Sequence, residues 1–127
     1  MNFNSQICTT KEQSERLLAL GLKKETADCC WSFNIGVYDE SRRYTLVLGK
    51  CEYMHDIPAW SLHRLIEICG IDRLPICFGK KGRVRIRVSH IHPTHDGRSG
   101  YNHYDSLIDC IEWLIKEGYF NKEYLEE

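Results

Sequence analysis

The 127 residues are 43% apolar and 28% charged, with a formal net charge of -1. That composition is too apolar for a disordered segment, and the length suits one domain over 1–127 that can bury a core without disulfide staples. No stretch approaches the roughly 18 apolar residues of a membrane span, and residues 1–6 carry neither a basic cluster nor an apolar run, so the expected setting is cytoplasmic with no membrane partner.

The seven cysteines are an odd number with no export signal beside them, which reads as free thiols buried as small hydrophobes. The near-zero net charge conceals an asymmetry. Six basic residues face Asp96 alone between positions 79 and 103, whereas from 104 onward two lysines face seven acids. A basic middle and an acidic tail bear on partners more than on fold.

In chain order, Thr9 and Thr10, each followed three residues later by Glu12 and Gln13, form overlapping capping boxes. The helix they open carries Leu17, Leu18 and Leu20, Gly21 stops it, and Leu22 falls where a Schellman cap places its apolar contact. A short helical turn is expected around 26–30. Runs 33–38 and 44–48 read as strands, with Asp39, Glu40, Ser41 and Arg42 as the polar loop of a hairpin. Asp56 and Pro58 mark the start of a second helix with the stripe Leu62, Leu65, Ile66 and Cys69, ended by Gly70.

A second hairpin follows. Run 74–78 is strand-like, 79–82 is a turn, and Val84, Ile86 and Val88 alternate with Arg83, Arg85 and Arg87 as on a half-wet strand. Residues 93–102 read as loop. A last helix from about Asp105 carries Leu107, Ile108, Ile111, Leu114 and Ile115 on one face and stops at Gly118, and Asn121 caps a terminal turn holding Tyr124 and Leu125. The expected fold is α+β, a mainly antiparallel sheet of about four strands in two hairpins packed against about three helices.

Three segments stand out together: Ile7-Cys8-Thr9-Thr10-Lys11-Glu12-Gln13 with Leu17-Leu18-Ala19-Leu20-Gly21-Leu22, Ile57-Pro58-Ala59-Trp60-Ser61-Leu62-His63-Arg64-Leu65-Ile66, and the run from Tyr104-Asp105-Ser106-Leu107 to Lys116-Glu117-Gly118-Tyr119. They resemble a group of small uncharacterised proteins common in Bacteroidetes genomes, often in prophage or other mobile-element regions. The resemblance covers both ends and the middle helix and omits both hairpins. It implies a bacterial cytosol, an accessory role linked to phage or mobile DNA, and a helical frame whose intervening strands carry what is specific. It transfers no activity, cofactor or catalytic residue.

Two motifs could carry chemistry. On a strand His90 and His92 share one face, and His95 with Asp96 in the adjoining loop would complete a zinc or nickel site. The run is similar to the His-x-His-x-Asp-His signature of metallo-β-lactamase-like hydrolases, but Thr94 replaces the aspartate and the chain is too short for that fold, so the family is rejected. The plain alternative makes His90 and His92 the end of the buried face begun by Val84, Ile86 and Val88, leaving the protein with no cofactor. The second motif is the stripe Arg83, Arg85 and Arg87, spaced about 6–7 Å apart and extended by Lys80 and Lys81, which matches an anion or nucleic-acid surface. Its plain alternative is a solvated strand face that discourages edge pairing.

Other candidates are weaker. Cys51 and His55 have a ligand-compatible gap without a partner motif, and Cys51 or Cys30 with a distant histidine is the residual nucleophile. Asp105, Asp109 and Glu112 form a helix's water-facing side, while Trp60 and Trp113 are anchors beside apolar stripes. There is no phosphate loop, dinucleotide fingerprint or nucleophile elbow. The expected function is therefore a non-enzymatic bacterial accessory or interaction protein with a protein partner or self-association. A zinc protein or small metal-dependent hydrolase, and nucleic-acid binding, are the alternatives.

Overall fold

The computed structural model describes residues 6–36, 38–39, 43–70, 76–78, 84–87, 94–96 and 103–126. Among them are three α-helices and six strands, an α+β fold. The strands form two antiparallel sheets of three, not one sheet of four. The chain divides into two compact units, Met1–Ser61 and Leu62–Glu127. No helix among the described residues is long and apolar enough to cross a membrane.

The first unit opens with α1 (Lys11–Ala19), capped as its sequence dictates. Of the two overlapping boxes, the Thr10–Gln13 one forms, with the Gln13 N–H donating to Thr10 Oγ1 at 3.2 Å and the Thr10 N–H donating to Gln13 Oε1 at 3.0 Å. At the other end Gly21 takes φ 103°, and the Gly21 and Leu22 N–H groups reach Leu18 O and Leu17 O at 3.0 and 3.3 Å. That is a Schellman cap, and Leu22 is buried beneath it.

Thr9, released from capping, ties distant segments together instead. Its hydroxyl accepts the Trp60 N–H at 3.0 Å and shares a 2.8 Å hydrogen bond with Ser14, while its carbonyl accepts the Trp31 indole N–H at 2.9 Å. The Trp60 indole N–H in turn donates to Thr26 Oγ1 at 3.0 Å. Thr9, Ser14 and Trp60 have no exposed surface, so each of these bonds replaces one to water, and leaving a partner unmet would cost about 1–3 kcal/mol.

The sheet of this unit is β1 (Cys29–Phe33), flanked by β2 (Tyr44–Leu48) and β3 (Ile57–Ala59) in the order β2-β1-β3. Two expectations need correction here. The first strand begins at Cys29, not Phe33, and the helical turn expected at 26–30 is a 3-10 turn at Lys24–Thr26. The strand ends at Phe33 and does not run on, because Ile35 and Gly36 turn the chain and Gly36 takes φ 82°. The second correction is Pro58, which lies in β3 and does not start a helix. β3 is an edge strand, where a residue without an N–H is tolerated.

In the second unit, α2 (Leu62–Cys69) and α3 (His103–Lys116) pack together, and α3 also lies against β5 (Val84–Arg87) and β6 (Thr94–Asp96). Leu107, Ile108, Ile111 and Leu114 of α3 are wholly buried, as the 3.6-residue stripe requires. Each contributes about 1.5–3 kcal/mol of burial. Gly118, at φ 80°, ends the helix, and the Tyr119 N–H reaches Leu114 O at 2.9 Å. Asn121 then caps the 3-10 turn Lys122–Tyr124 through its side chain. The second sheet has the order β4-β5-β6, with β4 spanning Ile76–Phe78.

Candidate functional site

Strand alternation sends adjacent residues of β1 to opposite faces, and its two vicinal cysteines part accordingly. Cys29 packs with Cys8 and Ala59, and Trp31 and Leu46 lie against that cluster. Burial pushes the Cys29 thiol far up, and its hydrogen bond with Cys8 and the negative charge of Asp28 push the same way. Burial also raises Cys8. Such thiols stay protonated and are poor nucleophiles.

Cys30, one residue on, is bonded to Cys51 with a Cα separation of 5.4 Å. This overturns the expectation that every cysteine is a free thiol. Cys30 has 1% of its surface exposed, and Cys51 is half-buried in the loop after β2. Asp56 joins them, with the two sulfurs and a carboxylate oxygen all within 4.8 Å of one another. It is the one such grouping of three metal-competent side chains among the described residues.

Asp56 is placed by backbone, not by a counter-ion. The β1–β3 ladder ends at the Trp31–Ile57 pair, and beyond it the Phe33 N–H donates to Asp56 Oδ1 at 3.0 Å. The Tyr53 N–H donates to Oδ2 at 3.2 Å, and the Asp56 N–H returns to Tyr53 O at 3.1 Å. The carboxylate therefore closes the 53–56 turn and pins it to β1, its residue almost completely buried.

Beside Asp56 opens a recess of about 610 Å³ lined by Ser32, Phe33, Asn34 and Ile35 on one side and by residues 53–56 on the other. The Phe33 ring forms its wall, with Tyr44 edge-on at 5.4 Å and His55 at 5.5 Å between ring centres. Its rim is apolar and open: Ile35 is 89% exposed, Tyr53 72% and Met54 90%.

His90, His92, Lys80, Lys81 and Arg83 fall outside the described residues. His95 and Asp96 are not in a loop as expected but in β6, whose register sets His95 opposite Ile86, Asp96 opposite Arg85 and Thr94 opposite Arg87. Cys51 was legible in a ligand-compatible gap with His55, but the residues that meet it are Cys30 from β1 and Asp56 from a turn, His55 is not in that grouping, and no local spacing announces the meeting.

Trp60 is the core anchor expected of it, while Trp113 is half-buried with its ring 5.9 Å from that of Tyr119. Asp105 and Asp109 are half-buried and Glu112 is exposed. Comparison with known proteins finds no matching family, no matching curated protein and no matching solved structure.

Proposed function

We propose that this chain is a non-enzymatic interaction protein that receives apolar side chains of a partner polypeptide in the recess beside Asp56. The observation that carries the reading is the rim of Ile35, Tyr53 and Met54, three large apolar side chains left to water around one concavity. Single exposed hydrophobes are ordinary on any surface, but several converging on a recess mark a binding surface. The residue types fit a polypeptide occupant. Methionine reshapes to its contact, and tyrosine and methionine are enriched where proteins meet.

Magnitudes set the kind of contact. Burying three such side chains yields at most about 5–9 kcal/mol, against association costs of about 4–15 kcal/mol. A recess of this size alone supports a weak, reversible encounter and not a permanent complex. That agrees with an accessory role of the kind that the resemblance to mobile-element proteins implies. On this reading the specific surface belongs to the strands and their turns, outside the helices that carry the resemblance.

The test is selection of binders from a random peptide library, followed by titration of the enriched peptides into labelled protein observed by NMR. The expected result is an aromatic or aliphatic consensus whose binding shifts amides at 32–35 and 53–56 and weakens at least tenfold in Ile35→Ser/Met54→Ser. Enrichment without an apolar consensus, or equal binding by the double variant, overturns the reading.

A further inference from the structure

We propose that Cys30, Cys51 and Asp56, once the Cys30–Cys51 bond is reduced, hold one zinc ion. This metal site lies in the first unit and shares no residue with the histidine run. Two thiolates and a carboxylate are a ligand set that zinc accepts, and two soft sulfurs select it over magnesium or calcium. Zinc–sulfur and zinc–oxygen bonds of about 2.3 and 2.0 Å in a tetrahedron separate neighbouring ligand atoms by about 3.5–3.8 Å. The three atoms here lie within 4.8 Å of one another, so once the sulfur–sulfur bond is broken the two sulfurs need only separate to reach that spacing around one ion. Three protein ligands leave the fourth position to water.

The carboxylate is prepared for this role. A metal-binding carboxylate works best when other hydrogen bonds fix its orientation, and both Asp56 oxygens already accept a backbone N–H. Each retains a lone pair for a metal. Those N–H groups come from β1 and from the 53–56 turn, so the ligand sits on a rigid frame and not on a free loop. Cys30 is anchored in the central strand of its sheet, and Cys51, the more exposed sulfur, is the one open to a reductant.

The chemistry balances. A dithiol reductant gives two electrons and two protons to the Cys30–Cys51 bond, yielding two thiols, and leaves as its own disulfide. Zinc then displaces both thiol protons to solvent and binds the two thiolates and the Asp56 carboxylate. Three anions crowded in a half-buried site would repel one another. With the dication among them a single net negative charge remains, which is why metal binding and thiol ionisation proceed together.

The test uses the full chain reduced under anaerobic conditions with a phosphine, desalted, and titrated with zinc alone, with metal content read by elemental analysis. Cobalt(II) titration reports thiolate ligation by its charge-transfer absorption. One zinc per chain is expected, together with a thiolate-to-cobalt band, at least a tenfold weakening in Cys51→Ser and in Asp56→Asn, and no change in His90→Ala/His92→Ala/His95→Ala. Several results overturn the proposal. They are a Cys30–Cys51 bond that resists the phosphine in the folded chain, absence of zinc from the reduced chain, unchanged affinity in Asp56→Asn, or loss of binding in the histidine variant. Should Cys51→Ser fail to fold by circular dichroism, the wild-type cobalt spectrum decides, and a spectrum without the thiolate band overturns the proposal.

Discussion

On one face of β1, Cys29 lies with Cys8 and Ala59 against Trp31 and Leu46, in a region closed by the hydrogen bonds of Thr9. On the other face, one residue along, Cys30 meets Cys51 and the Asp56 carboxylate, and that carboxylate also borders an open recess. The two residues share a type and a backbone. What separates them is strand alternation, which delivers one sulfur to a packed interior and the next to an acid and a second sulfur. Reactivity here is a property of the face, not of the residue.

The largest effect should come from opening the closed side. Trp60→Ala removes a wholly buried indole and its hydrogen bond to Thr26, and leaves the Thr26 hydroxyl without that donor. The expected loss is about 3–5 kcal/mol by urea denaturation. A loss below about 1 kcal/mol would mean that the packing of this side does not distinguish it from the other.

Next comes the opposite side. Cys51→Ser breaks a cross-link between residues 21 apart, and in the oxidised chain should cost about 3 kcal/mol. Adding a reductant to both proteins should make their stabilities converge. A cost that persists equally under reductant would show that Cys51 acts by packing, as Cys29 does.

How much of this was legible follows the range of each signal. The Thr10–Gln13 box, the Gly21 and Gly118 stops, and the α3 stripe depend on residues within a few positions of each other, and they formed where the pattern placed them. Pro58 misled because proline suits both a helix start and an edge strand, and only the pairing of Cys30 with Pro58 across the ladder decides between them. Asp56 misled for the same reason. Its carboxylate serves the Phe33 N–H, 23 residues away, and not a following helix. The Cys30–Cys51–Asp56 grouping is non-local in its decisive step, since Cys30 on β1 must meet the segment 51–56 from 21 residues away.

A smaller effect separates the two faces by pH. The Cys29 thiol is raised above its ordinary value of 9.0, first by burial and then by Cys8 and Asp28. The folded state therefore keeps the proton that the unfolded chain gives up above pH 9, so the stabilising contribution is complete below pH 9 and is lost as pH rises beyond it. Wild type should lose stability with rising pH more steeply than Cys29→Ala above pH 9, by at most about 1.4 kcal/mol per pH unit. Parallel curves for the two proteins would show that Cys29 titrates as freely folded as unfolded.

The smallest effect on stability belongs to the recess, and its smallness is the point. Ile35 and Met54 are 89% and 90% exposed, so converting both to serine removes almost no burial and should shift the folding free energy by less than about 0.5 kcal/mol. The same double change should weaken capture of apolar peptides at least tenfold, because these side chains contribute only when a partner covers them. Measured together, the two numbers separate a surface held for binding from one that merely tolerates exposed hydrophobes. A stability loss of more than about 1 kcal/mol would place these side chains in the packing of the first unit itself. The recess would then belong with the Cys29 face, as part of what holds the sheet together.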